Sequence, residues 1–278
     1  MAWSGWIGEC VRVAVEPFHY APASRLCRTP SAPYLRQSCP HDEKEQVVRG
    51  NRDGWKVVSD PSAWVGIVFV DIDGTLVPAP GSAVHVARYL GTEEEMIKAE
   101  AAYAAGQLTN PEIAAVDALA WADRTEREID DWLTQLPLVD GIAETVQWCR
   151  AHRLLPVLAT LAWQPIGKHL GKRFGFAAYC GPELEIRNGS FTGRVRATLD
   201  EFGKRDFALR YAENLGFGPS QCAAIGDSRS DLPLFDEVGL SVAFNADQQA
   251  RDRASTTVDG GDLWAVTPLL ADWHQRIR

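Results

Sequence analysis

The chain has 278 residues, of which 46% are hydrophobic and 23% charged, as is usual for a globular protein with a sizeable core. Its longest near-apolar run, Ala63 to Val70, is far shorter than the about 20 residues that a membrane-spanning helix needs. A net charge of −9 without a basic cluster argues against nucleic acid as a partner. The six cysteines are scattered and form no C-x-x-C pair, and the N-terminus does not resemble a secretory signal peptide, so a cytoplasmic protein is expected.

Residues 1–60 differ in composition from the rest of the chain. Pro, Ser and Arg are frequent from Pro17 to Pro40, and no helical or strand period is sustained. This composition predicts a poorly ordered N-terminal extension. Two alternatives remain open: a functional N-terminal arm, and a start of translation nearer to Val47 or Val58.

Strands and helices alternate from Gly66 onward. The apolar, β-branched run from Gly66 to Ile72 predicts a strand buried on both faces, and weaker strand patterns follow at 154–159, 221–225 and 240–244. Amphipathic helices are expected over 140–152 and 200–215. This order predicts an α/β fold with a doubly wound parallel sheet, a Rossmann-like core formed by residues 61–77 and 138–278, and functional residues at the carboxyl ends of the strands.

An insert at residues 78–137 interrupts this alternation. It has no convincing strand but contains three helix starts with capping-box spacing, which predict a small helical cap placed after the first strand. The three pairs are Thr92 with Glu95, Thr109 with Glu112, and Thr125 with Glu128. A second irregularity is Asn188-Gly189, flanked by 184–186 and 190–195, which predicts a β-hairpin.

Two acidic residues end the strongest strand, in the sequence Asp71-Ile-Asp-Gly-Thr-Leu76. Residues i and i+2 of a strand project to the same side, so the carboxylates of Asp71 and Asp73 are expected to stand together. Two close carboxylates repel each other unless a cation lies between them. The motif therefore predicts a cation site or an acid–base pair, with a pair of loop acids that cap a helix as the alternative.

A second acidic motif follows another predicted strand, in Ile225-Gly-Asp-Ser-Arg-Ser-Asp231. Asp227 and Asp231 lie four residues apart on a tight turn, and short acids of this kind suit Mg²⁺, which takes one or two carboxylates and keeps several waters. A helix-capping aspartate with solvated partners is the alternative.

Two further residues are candidates for binding an anion. Lys204 begins the predicted helix over 200–215, and Thr160 follows the predicted strand over 154–159, where a hydroxyl and the next amides can hold phosphate oxygens. A solvated lysine and a strand-end threonine explain the two residues equally well.

Taken in order, these four pieces resemble the motifs of the haloacid dehalogenase-like superfamily of phosphatases, over roughly residues 66–245. The DIDGTL and GDSRSD motifs are the specific ones, with Thr160 and Lys204 in the second and third positions. The helical insert and Asn188-Gly-Ser-Phe-Thr-Gly193 resemble the phosphoserine-phosphatase-like branch. Two positions depart from that branch: Pro80 stands where it carries an acid that binds the substrate's amino group, and Leu161-Ala-Trp163 replaces a small Ser-Gly pair.

The resemblance implies a catalytic role for each motif residue. Asp71 would be the nucleophile that forms an aspartyl-phosphate, and Asp73 the general acid and base. Mg²⁺ would be held by Asp71, by the backbone carbonyl of Asp73 and by Asp227, with Asp231 orienting its water shell or Lys204. Lys204 and Thr160 would bind the phosphoryl oxygens.

The substrate is expected to be a small phosphorylated metabolite selected by the cap. Arg124, at a predicted helix junction, could bind a substrate carboxylate, and Trp163 could lean into the site. A phosphatase is the favoured function. A phosphotransferase or mutase using the same intermediate, and a non-catalytic module that binds phosphorylated metabolites, are the alternatives; the oligomeric state is not predicted.

Overall fold

The computed structural model describes residues 60–278, so the N-terminal extension predicted for residues 1–60 lies almost wholly outside the described residues. None of the helices between residues 60 and 278 has both the length and the apolar character needed to cross a bilayer. The strands are β1 Gly66–Val70, β2 Leu154–Leu158, β3 Glu183–Arg187, β4 Ser190–Ala197, β5 Cys222–Gly226, β6 Leu240–Phe244 and β7 Thr256–Val258. The helices are α1 Ser82–Leu90, α2 Glu93–Ala104, α3 Asn110–Ala120, α4 Glu126–Leu133, α5 Ile142–Ala151, α6 Gln164–Phe174, α7 Glu201–Asn214, α8 Leu232–Phe235, α9 Gln248–Arg253 and α10 Thr267–Ile277.

Five strands form one parallel sheet in the order β2-β1-β5-β6-β7. β1 is buried along its whole length, because its alternate residues pack into different layers. Val68 and Val70 join the apolar cluster that contains Ile142 of α5, whereas Ile67 and Phe69 join the cluster with residues of α7. The predicted α/β fold with a doubly wound parallel sheet is confirmed.

The connection of the strands places a crevice beside β1. The chain runs from β1 to its neighbour β2 on one side and then returns to β5 on the other side. The carboxyl ends of these three strands therefore lie at the point where the strand order reverses, which is where open α/β sheets bind ligands.

Helices α1 to α4 occupy most of the segment between β1 and β2. The capping boxes predicted at Thr109 and Thr125 are present, but the one at Thr92 was wrong. Thr125 has extended backbone (ψ 155°) and its hydroxyl accepts from the Glu128 amide at 3.2 Å. Thr92 has ψ 26°, and its buried hydroxyl finds no hydrogen-bond partner among the described residues.

The predicted hairpin is formed by β3 and β4. Asn188 (φ 52°) and Gly189 (φ 84°) both adopt the left-handed conformation that a tight hairpin turn requires. The hairpin packs on the helical segment, since the Phe191 ring meets the Trp121 indole edge to face with centroids 5.2 Å apart.

The structure adds elements that the sequence pattern did not indicate: α1, α6, α8, α9, α10 and β7. Helix α1 shows the reason most clearly. Its N-cap is Gly81, which has no capping side chain, and the first helical amide, Ser82, donates instead to the Asp73 carboxylate at 2.6 Å. A cap supplied from nine residues away leaves no local capping signature in the sequence.

Candidate active site

Three carboxylates meet where β1 and β5 end. Asp71 follows β1, and Asp227 and Asp231 lie on the turn that follows β5. One oxygen from each of these residues lies within 4.8 Å of the others. Asp71 and Asp231 are almost fully buried, at 4% and 1% exposure. Three acidic groups at this distance form an oxygen-rich cluster that could hold a divalent cation.

The close approach of the two loops depends on Gly74. Its φ is +82°, in the left-handed region, and a Cβ built there would overlap the Asp227 carboxylate. A side chain at position 74 would therefore be strained by its backbone and would also displace Asp227.

Lys204 provides a buried positive charge beside the cluster. The side chain, on the first turn of α7, is 1% exposed; its Nζ lies 3.2 Å from Asp71 and donates to Asp231 at 2.7 Å. Burial by itself lowers the pKa of the ammonium, but attraction to Asp231 and then Asp71 outweighs it, so that the pKa of Lys204 lies above its ordinary value. Lys204 is therefore charged at neutral pH and offsets part of the repulsion between the carboxylates.

The three acids differ in how far their oxygens are already engaged. Asp231 accepts from Lys204 with one oxygen and from the Asp227 and Ser228 amides with the other, at 3.1 and 3.3 Å. Asp227 has a buried oxygen, Oδ1, with no hydrogen-bond partner among the described residues. Burial, followed by repulsion from Asp71 and Asp231, raises the pKa of Asp227 well above its ordinary value. An unpartnered buried oxygen in a repulsive cluster is what a bound cation would satisfy, so the residues fit Mg²⁺.

Asp73 lies at the edge of this cluster and is held by the first turn of α1. Its two oxygens accept from the Ser82 amide at 2.6 Å and from the Ser82 hydroxyl at 2.9 Å. Burial raises the pKa of Asp73 to about 6, although the two bonds from Ser82 oppose this effect. A carboxyl group with this pKa can be either protonated or ionised near neutral pH.

Thr160 is buried at the end of β2, the strand next to β1. Its hydroxyl accepts from the Ala162 amide at 3.1 Å, which folds the loop after β2 into a tight turn. Asp71, Asp73, Thr160 and Asp227 all line one cleft of about 500 Å³. The structure thus brings together the predicted residues from three neighbouring strands, and α7 adds Lys204 beneath them.

The cleft has a second wall formed by α2 and α3, which contribute Glu100, Tyr103 and Asn110. Burial, followed by repulsion from Asp73 and Asp117, raises the pKa of Glu100 to about 7. Sequence reasoning missed Glu100 because a helical glutamate is ordinarily solvated, and no local pattern distinguishes this one.

Asp117 was also missed, and it connects α3 to the loop after β2. Its Oδ2 accepts from the Trp163 indole at 2.5 Å and its Oδ1 from the Trp121 indole at 3.1 Å. Burial raises the pKa of Asp117 to about 6, against the effect of both indole bonds. Trp163 and Asp117 line a small recess of about 70 Å³ that also touches Asp73.

Arg124 does not line the cleft that contains Asp71 and Thr160. Its side chain is 44% exposed and faces Glu128 at 3.6 Å, and it is not among the residues that line the cleft. Arg124 therefore lies outside the cleft in this arrangement, and its contact with a substrate carboxylate stays a prediction. The basic residue that does line the cleft is Arg229, in the second acidic motif.

Comparison with known proteins agrees with this geometry. Residues 68–236 match the sequence model of the haloacid dehalogenase-like hydrolases. A phosphoserine phosphatase of Albidiferax ferrireducens is 33% identical over 135 residues, which cover 47% of this chain and 57% of that protein. One of Streptomyces coelicolor is 29% identical over 214 residues, which cover 76% of this chain and 52% of that protein. The chain thus spans about half the length of these curated relatives.

The fold is shared with solved structures as well. A structure of a phospho-aspartyl intermediate analogue of phosphoserine phosphatase has a TM-score of 0.66 to this chain at 20% identity. The match covers 73% of this chain and 98% of that one. At this identity the likeness establishes the fold.

Proposed function

The chain belongs to the haloacid dehalogenase-like hydrolase family, and from that premise we propose that it is a Mg²⁺-dependent phosphatase that hydrolyses a phosphomonoester of a small metabolite. The observation that carries the proposal is the cluster of Asp71, Asp227 and Asp231 around the buried Lys204 at one edge of the sheet. The names of the two curated relatives described above, both phosphoserine phosphatases, support the same reaction class. Pro80, in place of the acid that the family resemblance leads one to expect, leaves phosphoserine itself unsupported.

The proposed metal ligands are Asp71, Asp227 and the backbone carbonyl of Asp73. Asp231 is assigned a supporting role, because both of its oxygens already accept hydrogen bonds. Mg²⁺ bound there would neutralise charge on the phosphoryl oxygens, so that an anionic nucleophile could approach an anionic substrate.

Asp71 is the proposed nucleophile. An Asp71 oxygen attacks phosphorus, the bond between phosphorus and the ester oxygen breaks, and an aspartyl-phosphate remains on the protein. Asp73 donates its proton to the departing alkoxide and then accepts a proton from the water that attacks the intermediate, which releases phosphate and restores Asp71. Lys204 and Thr160 bind the phosphoryl oxygens. Hydrogen bonds from Ser82 hold Asp73 in place for both steps.

We propose that residues 78–137 act as a cap that covers the substrate and that residues 61–77 and 138–278 form the catalytic core. A cytoplasmic location and a small phosphorylated metabolite as partner complete the proposal. Cys149, Cys180 and Cys222, the cysteines within the described residues, are free buried thiols, which is compatible with a reducing compartment.

A phosphate-release assay tests this function. Wild-type protein is incubated with amino-acid, sugar and polyol phosphates in the presence of Mg²⁺, and we expect release from at least one class. Asp71→Asn is expected to abolish release, because an amide oxygen is a poor nucleophile. Asp123→Asn, an exposed aspartate at φ 64° where asparagine is equally tolerated, is the matched control and is expected to behave as wild type.

Full activity in Asp71→Asn would contradict the mechanism. Adding a competing alcohol separates hydrolysis from phosphoryl transfer, since a transferase would form the new ester in place of free phosphate.

A further inference from the structure

Arg229 reaches from the second acidic motif toward the helices that cover the cleft. It lies between β5 and α8, and its guanidinium carbon is 4.2 Å from the centroid of the Tyr103 ring on α2. This contact is a cation–π interaction, which holds the guanidinium against the wall of the cleft opposite the sheet. Both residues line the cleft that contains Asp71 and Thr160.

Among residues 60–278, no acidic side chain pairs with Arg229 to neutralise its charge. Its Nε is buried without a hydrogen-bond partner, and no carboxylate of residues 60–278 forms a salt bridge with it. A part-buried guanidinium usually pairs with a carboxylate, because removing its charge from water without compensation is costly. The missing partner is the first indication of a ligand.

The surroundings of Arg229 indicate the sign of the charge that such a ligand carries. Among the described residues that line the cleft, every other charged side chain is acidic: Asp71, Asp73, Glu100, Asp227 and Asp247. An additional anionic group is therefore repelled in most of the cleft and attracted at Arg229. A guanidinium also suits a carboxylate or phosphate particularly well, since it donates two parallel hydrogen bonds.

We propose that Arg229 is an anion subsite that selects phosphomonoesters bearing a second anionic group, either a carboxylate or a second phosphate. The inference rests on the proposed phosphatase function and names its substrate class. The reacting phosphoryl group lies at Asp71, and the second anion binds the guanidinium that Tyr103 holds in place. Arg229 is a specificity residue and takes no part in bond breaking.

A different role for Arg229 makes a different prediction. A Cβ at Gly106, just beyond the end of α2, would be 3.9 Å from Nη1 of Arg229, so the side chain lies close to the carboxyl end of that helix. A residue that merely fastens the helix would affect every substrate alike, whatever its charge.

The test compares three substrates of similar length: phosphoglycolate, ethylene glycol bisphosphate, and 2-hydroxyethyl phosphate, whose second group is an uncharged hydroxyl. We expect wild-type kcat/KM to favour one or both anionic compounds by about 10- to 100-fold, the range that a charge-assisted hydrogen-bonded pair supports. Arg229→Gln is expected to bring that ratio near one, mainly through KM, and Arg229→Lys to retain part of it. Arg196→Gln removes an exposed charge of the same kind, 69% exposed on β4, and is expected to leave the ratio unchanged.

The two anionic compounds distinguish a carboxylate from a second phosphate as the preferred group. Equal kcat/KM in the wild type for all three esters, whether their second group is charged or not, or an equal loss on all three in Arg229→Gln, overturns the subsite. Calorimetric binding of the same compounds to Asp71→Asn, with and without Arg229→Gln, separates the two proposals. If the protein binds compounds with a second anionic group more tightly but the wild type turns none of them over, the phosphatase function is rejected and the Arg229 subsite is kept. If the wild type turns the esters over without preferring a second anionic group, the phosphatase function is kept and the subsite is rejected.

Discussion

Asp73 shows how the position of one side chain determines its chemistry. It follows Asp71 by two residues, yet it is held by Ser82 at the start of α1 and has its pKa raised to about 6 by burial. A general acid that must later act as a base works best with a pKa near the working pH. The fold therefore gives two neighbouring aspartates different surroundings, which suit the different roles that we propose for them.

Replacing Asp73 with asparagine separates those roles. The variant cannot protonate a departing alkoxide, so we expect turnover of alkyl phosphates to fall by about 10²- to 10⁴-fold, the usual contribution of general acid–base catalysis. With p-nitrophenyl phosphate, whose leaving group needs no proton, the variant is expected to release one equivalent of nitrophenolate quickly and then to stall. Rapid-mixing absorbance measures this burst. Wild-type steady-state rates with both esters would show that Asp73 transfers no proton.

Glu100 leads to a prediction for pH dependence. Its pKa is about 7 in the folded protein, above the ordinary value of 4.5, so the folded state holds the proton more tightly than the unfolded chain. Protonation of Glu100 therefore stabilises the folded state. This contribution to the free energy of unfolding is fully present below about pH 4.5, declines as the pH rises through 7, and is absent above that pH.

We expect Glu100→Gln to match the wild type near pH 4 and to be about 1 to 3 kcal/mol more stable at pH 8 in the metal-free protein. Urea unfolding at the two pH values measures the difference. Glu95→Gln, which changes an exposed glutamate on the same helix, serves as the control and should show no such pH-dependent gain. A gain for Glu100→Gln that is equal at both pH values would exclude titration of Glu100 as its cause.

At the scale of elements, the helical segment and the sheet are joined by a buried polar contact. Asp117 of α3 accepts from Trp121 and from Trp163, the latter on the loop that begins with Thr160. Both indoles also pack edge to face, with ring centroids 6.4 Å apart. The orientation of the loop after β2 is thus coupled to α3 through one carboxylate.

Trp163→Phe removes the indole donor and keeps an aromatic ring. One oxygen of Asp117 then stays buried without its partner, so we expect a loss of about 1 to 3 kcal/mol in the free energy of unfolding at pH 8. Trp264→Phe alters a tryptophan that is 44% exposed and should cost much less. Denaturant titration of both variants measures the contrast, and equal losses would argue that the hydrogen bond contributes nothing.

For the molecule as a whole, the ends of β1 and β5 carry an electrostatic cost that a cation would remove. Asp71, Asp227 and Asp231 are held together by the sheet, and Lys204 compensates only part of their charge. Binding of Mg²⁺ to the folded state alone therefore couples metal affinity to stability.

We expect Mg²⁺ at about 100 times its dissociation constant to add about 2.7 kcal/mol, or roughly 5 to 10 °C in Tm for a domain of this size. Asp227→Asn removes one repelling charge, so its metal-free Tm should rise while the gain with Mg²⁺ largely disappears. Differential scanning fluorimetry with EDTA and with Mg²⁺ measures both effects, with Asp123→Asn as the control. An undiminished Mg²⁺ response in Asp227→Asn would remove that residue from the ligand set.

Much of the core could be predicted from the chain alone. The run from Gly66 to Val70 is apolar and β-branched, which suits a strand buried on both faces, and the acids that follow it mark the strand's end. The hairpin at Asn188-Gly189 and the capping box at Thr125 are likewise local, since turn and cap preferences depend on residues only a few positions apart. The residues that determine such features lie within a few positions of the features themselves.

The sequence by itself indicated the parallel sheet and the placement of acidic residues at strand ends, because strand periodicity and short-range turn chemistry depend on residues only a few positions apart. The family was indicated separately, by the resemblance of the DIDGTL and GDSRSD motifs to those of known phosphatases. Only the tertiary structure decided that Thr92 forms no capping box, that Asp117 joins two indoles, and that Arg229, not Arg124, lines the cleft. The Trp163 bond to Asp117 and the place of Arg229 in the cleft depend on residues far apart in the chain, such as the 46 positions that separate Asp117 from Trp163. Burial and charge neutralisation arise only when those distant segments pack together, and no local pattern records them.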